Sequence, residues 1–173
     1  MITSQLLNDI FTYTDGKLLW RVRRRKISLG SEAGYDWVDP ARPHSRPRRQ
    51  VRVDGNLYFR SRLVWIMYNG DIPDGMQVDH INGDSSDDRI ENLRLATNLQ
   101  NNWNKGLTRQ NRSGVKGVRL VSRLKSKPWV ARAKVNGKQH NLGYFATPEE
   151  AKAAYDQFVA GLCGDFANKG DSE

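Results

Sequence analysis

The chain has 173 residues, 38% hydrophobic and 27% charged, with 28 Lys and Arg against 19 Asp and Glu. One cysteine, Cys163, excludes an intramolecular disulfide and a cysteine zinc cluster, so no structural zinc is expected. No apolar run approaches the roughly 20 residues a membrane span needs and no basic-then-apolar signal pattern opens the chain, so a soluble intracellular protein without a membrane partner is expected.

The charge is unevenly spread. Residues 1–72 carry 13 basic and 7 acidic side chains, residues 73–105 carry 3 and 6, and residues 106–173 carry 12 and 6. Two basic flanks around an acidic centre suit a polyanion gripped on either side of a place that attracts a cation. At this length two small domains fit the composition shifts better than one.

Thr3 followed by Leu6, Leu7, Ile10 and Phe11 predicts a capped amphipathic helix ending near Thr14. Asp15-Gly16 is a turn dipeptide, and Leu18 to Val22 read as a strand running into the basic cluster at 23–26. The stretch 39–50, with three prolines and four arginines, reads as a loop or basic arm. Alternation around Asp54-Gly55 predicts a hairpin over 51–59. Residues 61–68 then predict a short buried helix, apolar on more than one face, which packs under the next strands and supports them.

The chain then predicts a strand over 76–81, a polar loop over 82–89, a second strand over 93–96 and a helix over 97–104 capped by Thr97. A strand-strand-helix unit of about thirty residues cannot bury enough core alone and must lean on its neighbours. Asp79 and His80 are adjacent, and adjacent side chains on a regular strand face opposite ways. The Asn82-Gly83 turn implies that the strand is already ending there. Asp84, Asp87, Asp88 and Glu91 read as cap and turn formers of a solvated loop.

Residues 105–113 read as a basic linker whose Arg109 and Arg112 are placed to track phosphates. Three strands with tight turns come next, over 114–119, 129–135 and 141–145. Thr147-Pro148-Glu149-Glu150 then supplies cap, first-turn proline and capping-box glutamate to a helix with Ala151, Ala154, Tyr155, Phe158 and Leu162 in one apolar stripe.

The order Val78-Asp79-His80-Ile81-Asn82-Gly83-Asp84, then Glu91-Asn92-Leu93-Arg94-Leu95-Ala96-Thr97, then Gln100-Asn101 resembles the HNH endonuclease motif. Gly117-Val118-Arg119, Trp129-Val130-Ala131, Leu142-Gly143-Tyr144-Phe145 and the run Glu149 to Asp156 resemble the Apetala/ethylene-response-factor DNA-binding domain. Overall the chain resembles the free-standing HNH homing endonucleases of bacteriophages and prophages, over 51–105 and 114–168. The resemblance implies an α+β protein: a strand-strand-helix (ββα-metal) nuclease unit on an N-terminal strand-rich support over 1–105, a basic linker over 106–113, a three-stranded antiparallel sheet on one helix over 114–168, and a tail over 169–173. Many HNH relatives staple this unit with CxxC zinc ligands, which are missing here.

By that resemblance His80 and Asn92 are the catalytic residues, His80 as general base and Asn92 as its hydrogen-bonding organiser. Asp79 and Asn101 are the ligands of one divalent ion, Mg²⁺ or Mn²⁺, with Asn98 a competitor one helical turn earlier. Lys116, Arg119, Arg132, Lys134, Gln139 and Asn141, with Arg109 and Arg112, are the expected DNA-binding set. The partner implied is double-stranded DNA, in a bacterial or phage-infected host cytoplasm, with monomer and homodimer both open. The expected activity is site-specific hydrolysis of phosphodiester bonds, nicking if one chain acts alone. A DNA-binding transcriptional regulator with a silent nuclease fold is the alternative, which leaves unexplained why all four motif residues stand together. An RNA-directed nuclease is disfavoured by the lack of exposed aromatic platforms in the recognisable strands.

Overall fold

The computed structural model describes residues 2–23, 26–41, 43–104, 107, 111–135 and 137–163. The expected tail over 169–173 lies outside the described residues. The chain divides into two compact units, 1–96 and 97–173. It is a mixed α+β protein built from small sheets, and none of its described helices is long and apolar enough to cross a membrane.

In the first unit, helix α1 (Ser4–Ile10) starts at Thr3, whose hydroxyl accepts the Leu6 amide at 3.2 Å. It stops at Ile10, short of the expected Thr14, because the next four residues form strand β1 (Phe11–Thr14). Phe11 and Tyr13 alternate with exposed Thr12 and Thr14, the period of a strand with one covered face. β1 pairs antiparallel with β2 (Lys17–Trp20) across Asp15 (φ 44°) and Gly16 (φ 77°), a turn whose two left-handed residues match strand twist.

Strands β3 (Tyr35–Trp37), β4 (Arg48–Val53) and β5 (Asn56–Phe59) form an antiparallel sheet in the order β3-β4-β5. The expected loop over 39–50 is therefore shorter than its composition implied, since Arg48 to Gln50 pair with Trp37 to Tyr35. The Asp54-Gly55 hairpin forms as anticipated. Helix α2 (Arg60–Asn69) comes next, and Gly70 at φ 78° closes it while its amide donates to the Ile66 carbonyl. Leu63, Val64 and Ile66 join Leu7, Phe11, Leu18, Val51, Val53, Val78 and Leu93 in one core. In that way the helix and the N-terminal strands supply the burial that β6 (Met76–His80) and β7 (Leu93–Thr97) lack by themselves.

The second unit opens with helix α3 (Asn98–Asn104), where the Thr97 hydroxyl accepts the Gln100 amide at 3.3 Å. β8 (Val118–Leu120), β9 (Trp129–Val135) and β10 (Lys138–Phe145) form an antiparallel sheet in the order β10-β9-β8. The third strand starts earlier than expected, at Lys138, with its register slipping between Asn141 and Gly143. Helix α4 (Pro148–Cys163) covers one face. The Thr147 hydroxyl accepts the Glu150 amide at 3.2 Å, and Glu150 reaches back to the Ala146 amide at 3.1 Å. Its buried stripe is Ala151, Tyr155 and Val159; Leu162, expected in it, is 51% exposed, because the i, i+4, i+8 row turns away from it.

Candidate active site

His80 is the last residue of β6, and the strand does end there: the Gly83 amide turns back onto the His80 carbonyl at 2.9 Å. The imidazole Nε2 lies 2.8 Å from Asp88 Oδ1, and both residues are buried, 7% and 3% exposed. A carboxylate only accepts, so Nε2 is the donor of this contact, and in the neutral imidazole the lone pair is then on Nδ1. The other Asp88 oxygen accepts from Arg60 Nε at 2.7 Å. Arg60 in turn donates to Glu32 at 2.7 Å and to the Ser86 carbonyl at 3.3 Å. One buried chain of charge thus ties β6 and the loop after it to the first turn of α2.

Asp88, expected with Asp84, Asp87 and Glu91 in a solvated loop, is buried, and its burial corrects that reading. Its sequence signal lies elsewhere, in Arg60. Arg60 is buried where the helix opens onto the apolar run Leu63 to Met67, and a buried cation there needs an acid to receive it, which Asp88 supplies. The hairpin turn of β1 and β2 backs the same stretch. A Cβ on Gly16 would stand 2.9 Å from the Arg89 nitrogen and 3.1 Å from the Asp88 carbonyl carbon. Tyr13 adds to this support, its hydroxyl accepting the Ile90 amide at 3.0 Å.

Asn92, also buried, closes the short 3-10 turn Ile90–Asn92 that leads into β7. Its amide donates to Asn82 Oδ1 at 3.0 Å and to the Asp87 carbonyl at 2.8 Å, while its oxygen accepts the Asn82 amide at 3.1 Å. Its carbonyl accepts the Ile81 amide at 2.9 Å. Asn92 therefore pins both ends of the loop beside His80, using both donor and acceptor capacity of the carboxamide.

Asp79, 6% exposed, points to a different partner from His80, as strand neighbours do: its Oδ2 accepts from Arg94 Nε at 3.0 Å. Asp84 and Asp87 are loop formers as anticipated. Partial burial works to raise the Asp84 carboxyl, but hydrogen bonds from the Ser86 hydroxyl and amide and the charge of Arg46 hold it below its ordinary value. Asp87 is held at about 2, chiefly by the hydrogen bonds from Arg89. Asn101 is half-buried on α3 in the second unit, with Asn98 exposed three residues before it. Among the described residues no three or more His, Cys, Asp and Glu side chains are grouped to hold a metal ion.

In the second unit, register sets which expected DNA-binding residues share a face. Val118 pairs with Ala131 on the side that packs on α4. Arg119, paired with Val130, therefore points away from the helix, as do the pairs Arg132 with Asn141 and Lys134 with Gln139. Arg119, Lys134, Gln139 and Asn141 are exposed, and Arg132 is half-buried. Lys116 is not among them: its ammonium donates to the Trp103 carbonyl, and burial lowers its pKa. Arg112 is exposed in the approach to the sheet, and Arg109 lies outside the described residues. Sequence reading missed the loop between β8 and β9. There Arg123, Lys125 and Lys127 join Arg119 and Arg132 around an open cleft of about 750 Å³.

Residues 58–103 match the family described as HNH endonuclease. Over 99 residues the chain is 35% identical to protein 3.8 of Escherichia phage T7, an alignment that covers 57% of this chain and 71% of that protein. This chain carries an HNH endonuclease domain. It is also 33% identical over 113 residues to an uncharacterised HNH endonuclease, L560, of Acanthamoeba polyphaga mimivirus, covering 65% of this chain and 57% of that protein. No solved structure matches the chain. The HNH match runs from β5 to α3 and contains Asp79, His80, Asp88, Asn92 and Asn101.

HNH endonucleases act on DNA and generally depend on a divalent metal ion. The expected donors, a carboxylate and a carboxamide, are hard oxygen groups. They suit a small cation that keeps several of its waters, and they do not make a thiolate or imidazole cluster. The Asp79 carboxylate, buried and oriented by Arg94, fits that requirement.

Proposed function

We propose that this HNH endonuclease makes site-specific nicks in double-stranded DNA in the presence of Mg²⁺ or Mn²⁺, in the manner of a homing enzyme. The observation that carries the reading is the buried 2.8 Å contact of His80 Nε2 with Asp88 at the end of the strand that also holds Asp79. With its hydrogen fixed on Nε2, the imidazole offers Nδ1 as general base to a water attacking the scissile phosphorus in line. Arg60, itself anchored by Glu32, holds Asp88, and Asn92 holds the loop, so the base does not have to be ordered when substrate arrives.

One divalent ion at Asp79, with the Asn101 carboxamide as second donor by sequence order, would neutralise charge on the phosphate and the leaving 3′ oxygen. The products would be a 5′ phosphate and a 3′ hydroxyl. The C-terminal sheet supports a positioning role like that of Apetala/ethylene-response-factor domains, with Arg119, Arg132, Lys134, Gln139 and Asn141 presented together to the major groove. A single site per chain favours nicking by one chain, with two chains required to cut both strands.

The test is nicking of supercoiled plasmid in Mg²⁺ by the His80→Ala protein, with duplex binding measured in parallel. Loss of nicking with binding retained is the expected result. Cleavage at the parent rate would remove His80 from the mechanism.

A further inference from the structure

Strand alternation sorts the β3-β4-β5 sheet into two unlike faces. Val51, Val53 and Tyr58 point into the core. Asp36 shares that side with Arg49, to which it is paired at 2.9 Å. The opposite face carries Tyr35, Trp37, Arg48, Gln50, Arg52 and Phe59, and no carboxylate from any of the three strands. None of its aromatic rings belongs to the core of the unit.

Two of the rings meet, and the third lies two residues along the same strand. Trp37 stands edge-on to Phe59, with centroids 5.5 Å apart, and the Arg48 guanidinium lies 3.6 Å over the Phe59 ring. Tyr35 is 48% exposed, and its hydroxyl donates to Gln50 at 3.0 Å. A stray solvated charge run explains arginines on a surface, but it does not explain three rings interleaved with them. The face is also continuous with the candidate active site. Phe59 immediately precedes Arg60, the partner of Asp88. The Arg46 guanidinium meets Asp84 in the loop after His80.

We propose that this face binds an unpaired stretch of DNA strand next to the cleavage position, bases stacking on Tyr35 and Trp37 and phosphates meeting Arg48 and Arg52. Stacked bases in an intact duplex hide their faces, so an exposed Tyr35 and a half-buried Trp37 alternating with cations select a strand whose bases have come apart. This is the platform whose apparent lack disfavoured an RNA target, and it corrects that ground: Tyr35 and Trp37 reach Arg48 and Phe59 only through strand pairing. From the proposed function it takes only that the ligand is DNA.

The experiment measures fluorescence anisotropy of a labelled oligothymidylate, and of a labelled duplex of the same length, with full-length protein carrying His80→Ala and EDTA present. Cleavage chemistry then plays no part, so failure here and failure of the His80 mechanism are separate results. Adding Tyr35→Ala and Arg52→Gln should weaken oligothymidylate binding by at least the roughly five- to 150-fold of one lost stack, with duplex affinity little changed. The log-log salt slope for the oligothymidylate should fall by about 0.7 for the lost cation. Where Tyr35→Ala lowers the unfolding midpoint, Tyr35→Leu, which keeps an apolar side chain without the ring, carries the same comparison. Oligothymidylate binding equal to the parent, or equal losses on single strand and duplex, would overturn the proposal.

Discussion

Replacing Asp88 with alanine removes the acceptor of two buried donors at once, His80 Nε2 and Arg60 Nε. Truncating one member of a buried ion pair costs about 3–5 kcal/mol, because the charge left behind stays out of water. Arg60 is not wholly abandoned, since it keeps Glu32 at 2.7 Å and the Ser86 carbonyl. That places the cost near the lower end, about 3 kcal/mol. For a unit of this size such a loss lowers the thermal midpoint by on the order of 10–20 °C. The imidazole also loses the group that fixes its tautomer, so the kcat of nicking should fall by about 10–100-fold, part of what a general base contributes. Asp88→Asn separates the two effects. The carboxamide fills the same space, but its NH₂ must face either Arg60, donor against donor, or His80, which forces the hydrogen onto Nδ1. It should therefore destabilise less than alanine and still lose kcat with KM nearly unchanged. Urea unfolding and plasmid nicking on both variants provide the measurement. An alanine variant that unfolds at the parent midpoint and nicks at the parent rate would refute the reasoning.

Asn92→Ala removes three hydrogen bonds that pin the loop over 82–87, at a cost of about 2–4 kcal/mol for a buried amide with partners left unsatisfied, and hydrogen exchange should quicken at the Asn82 amide first. Gly16→Ala combines a left-handed φ of 77° with a Cβ 2.9 Å from the Arg89 nitrogen, so it should destabilise by about 1–3 kcal/mol and lower nicking through the Asp88 stretch it presses on, read by unfolding and activity together. Asp87, held at about 2 by Arg89, has a depressed carboxyl. Its stabilising contribution is complete above the unfolded value near 4 and is lost as pH falls through about 2. Asp87→Asn should flatten that part of the acid unfolding profile, and an unchanged profile would contradict the assignment.

The hairpin turns and most helix starts of this protein are written locally, and sequence alone located them. Asp15-Gly16 and Asp54-Gly55 supply the left-handed residues their hairpins need, and Thr147-Pro148 starts α4 wherever the rest of the chain goes. The same is true of β6 and β7, and of the motif order that placed Asp79 and His80 on β6 and Asn92 just before β7. What a residue touches across the fold was not legible, because burial and pairing depend on segments far apart in the chain. Phe11 to Thr14 continue the helical apolar pattern of α1, yet pairing with β2 makes them a strand. Arg48 to Gln50 look like the end of a basic loop until β3 pairs with them. Asp88 resembles its neighbours Asp84 and Asp87 in sequence, and only the arrival of Arg60 from α2 and His80 from β6 turns it from a loop carboxylate into the buried anchor of the site. The sequence by itself located the motif residues Asp79 and His80 at the end of one strand and Asn92 just before the next. The tertiary structure decided what holds them, since the Coulomb and hydrogen-bond partners of a buried charge come from whichever elements the core brings together.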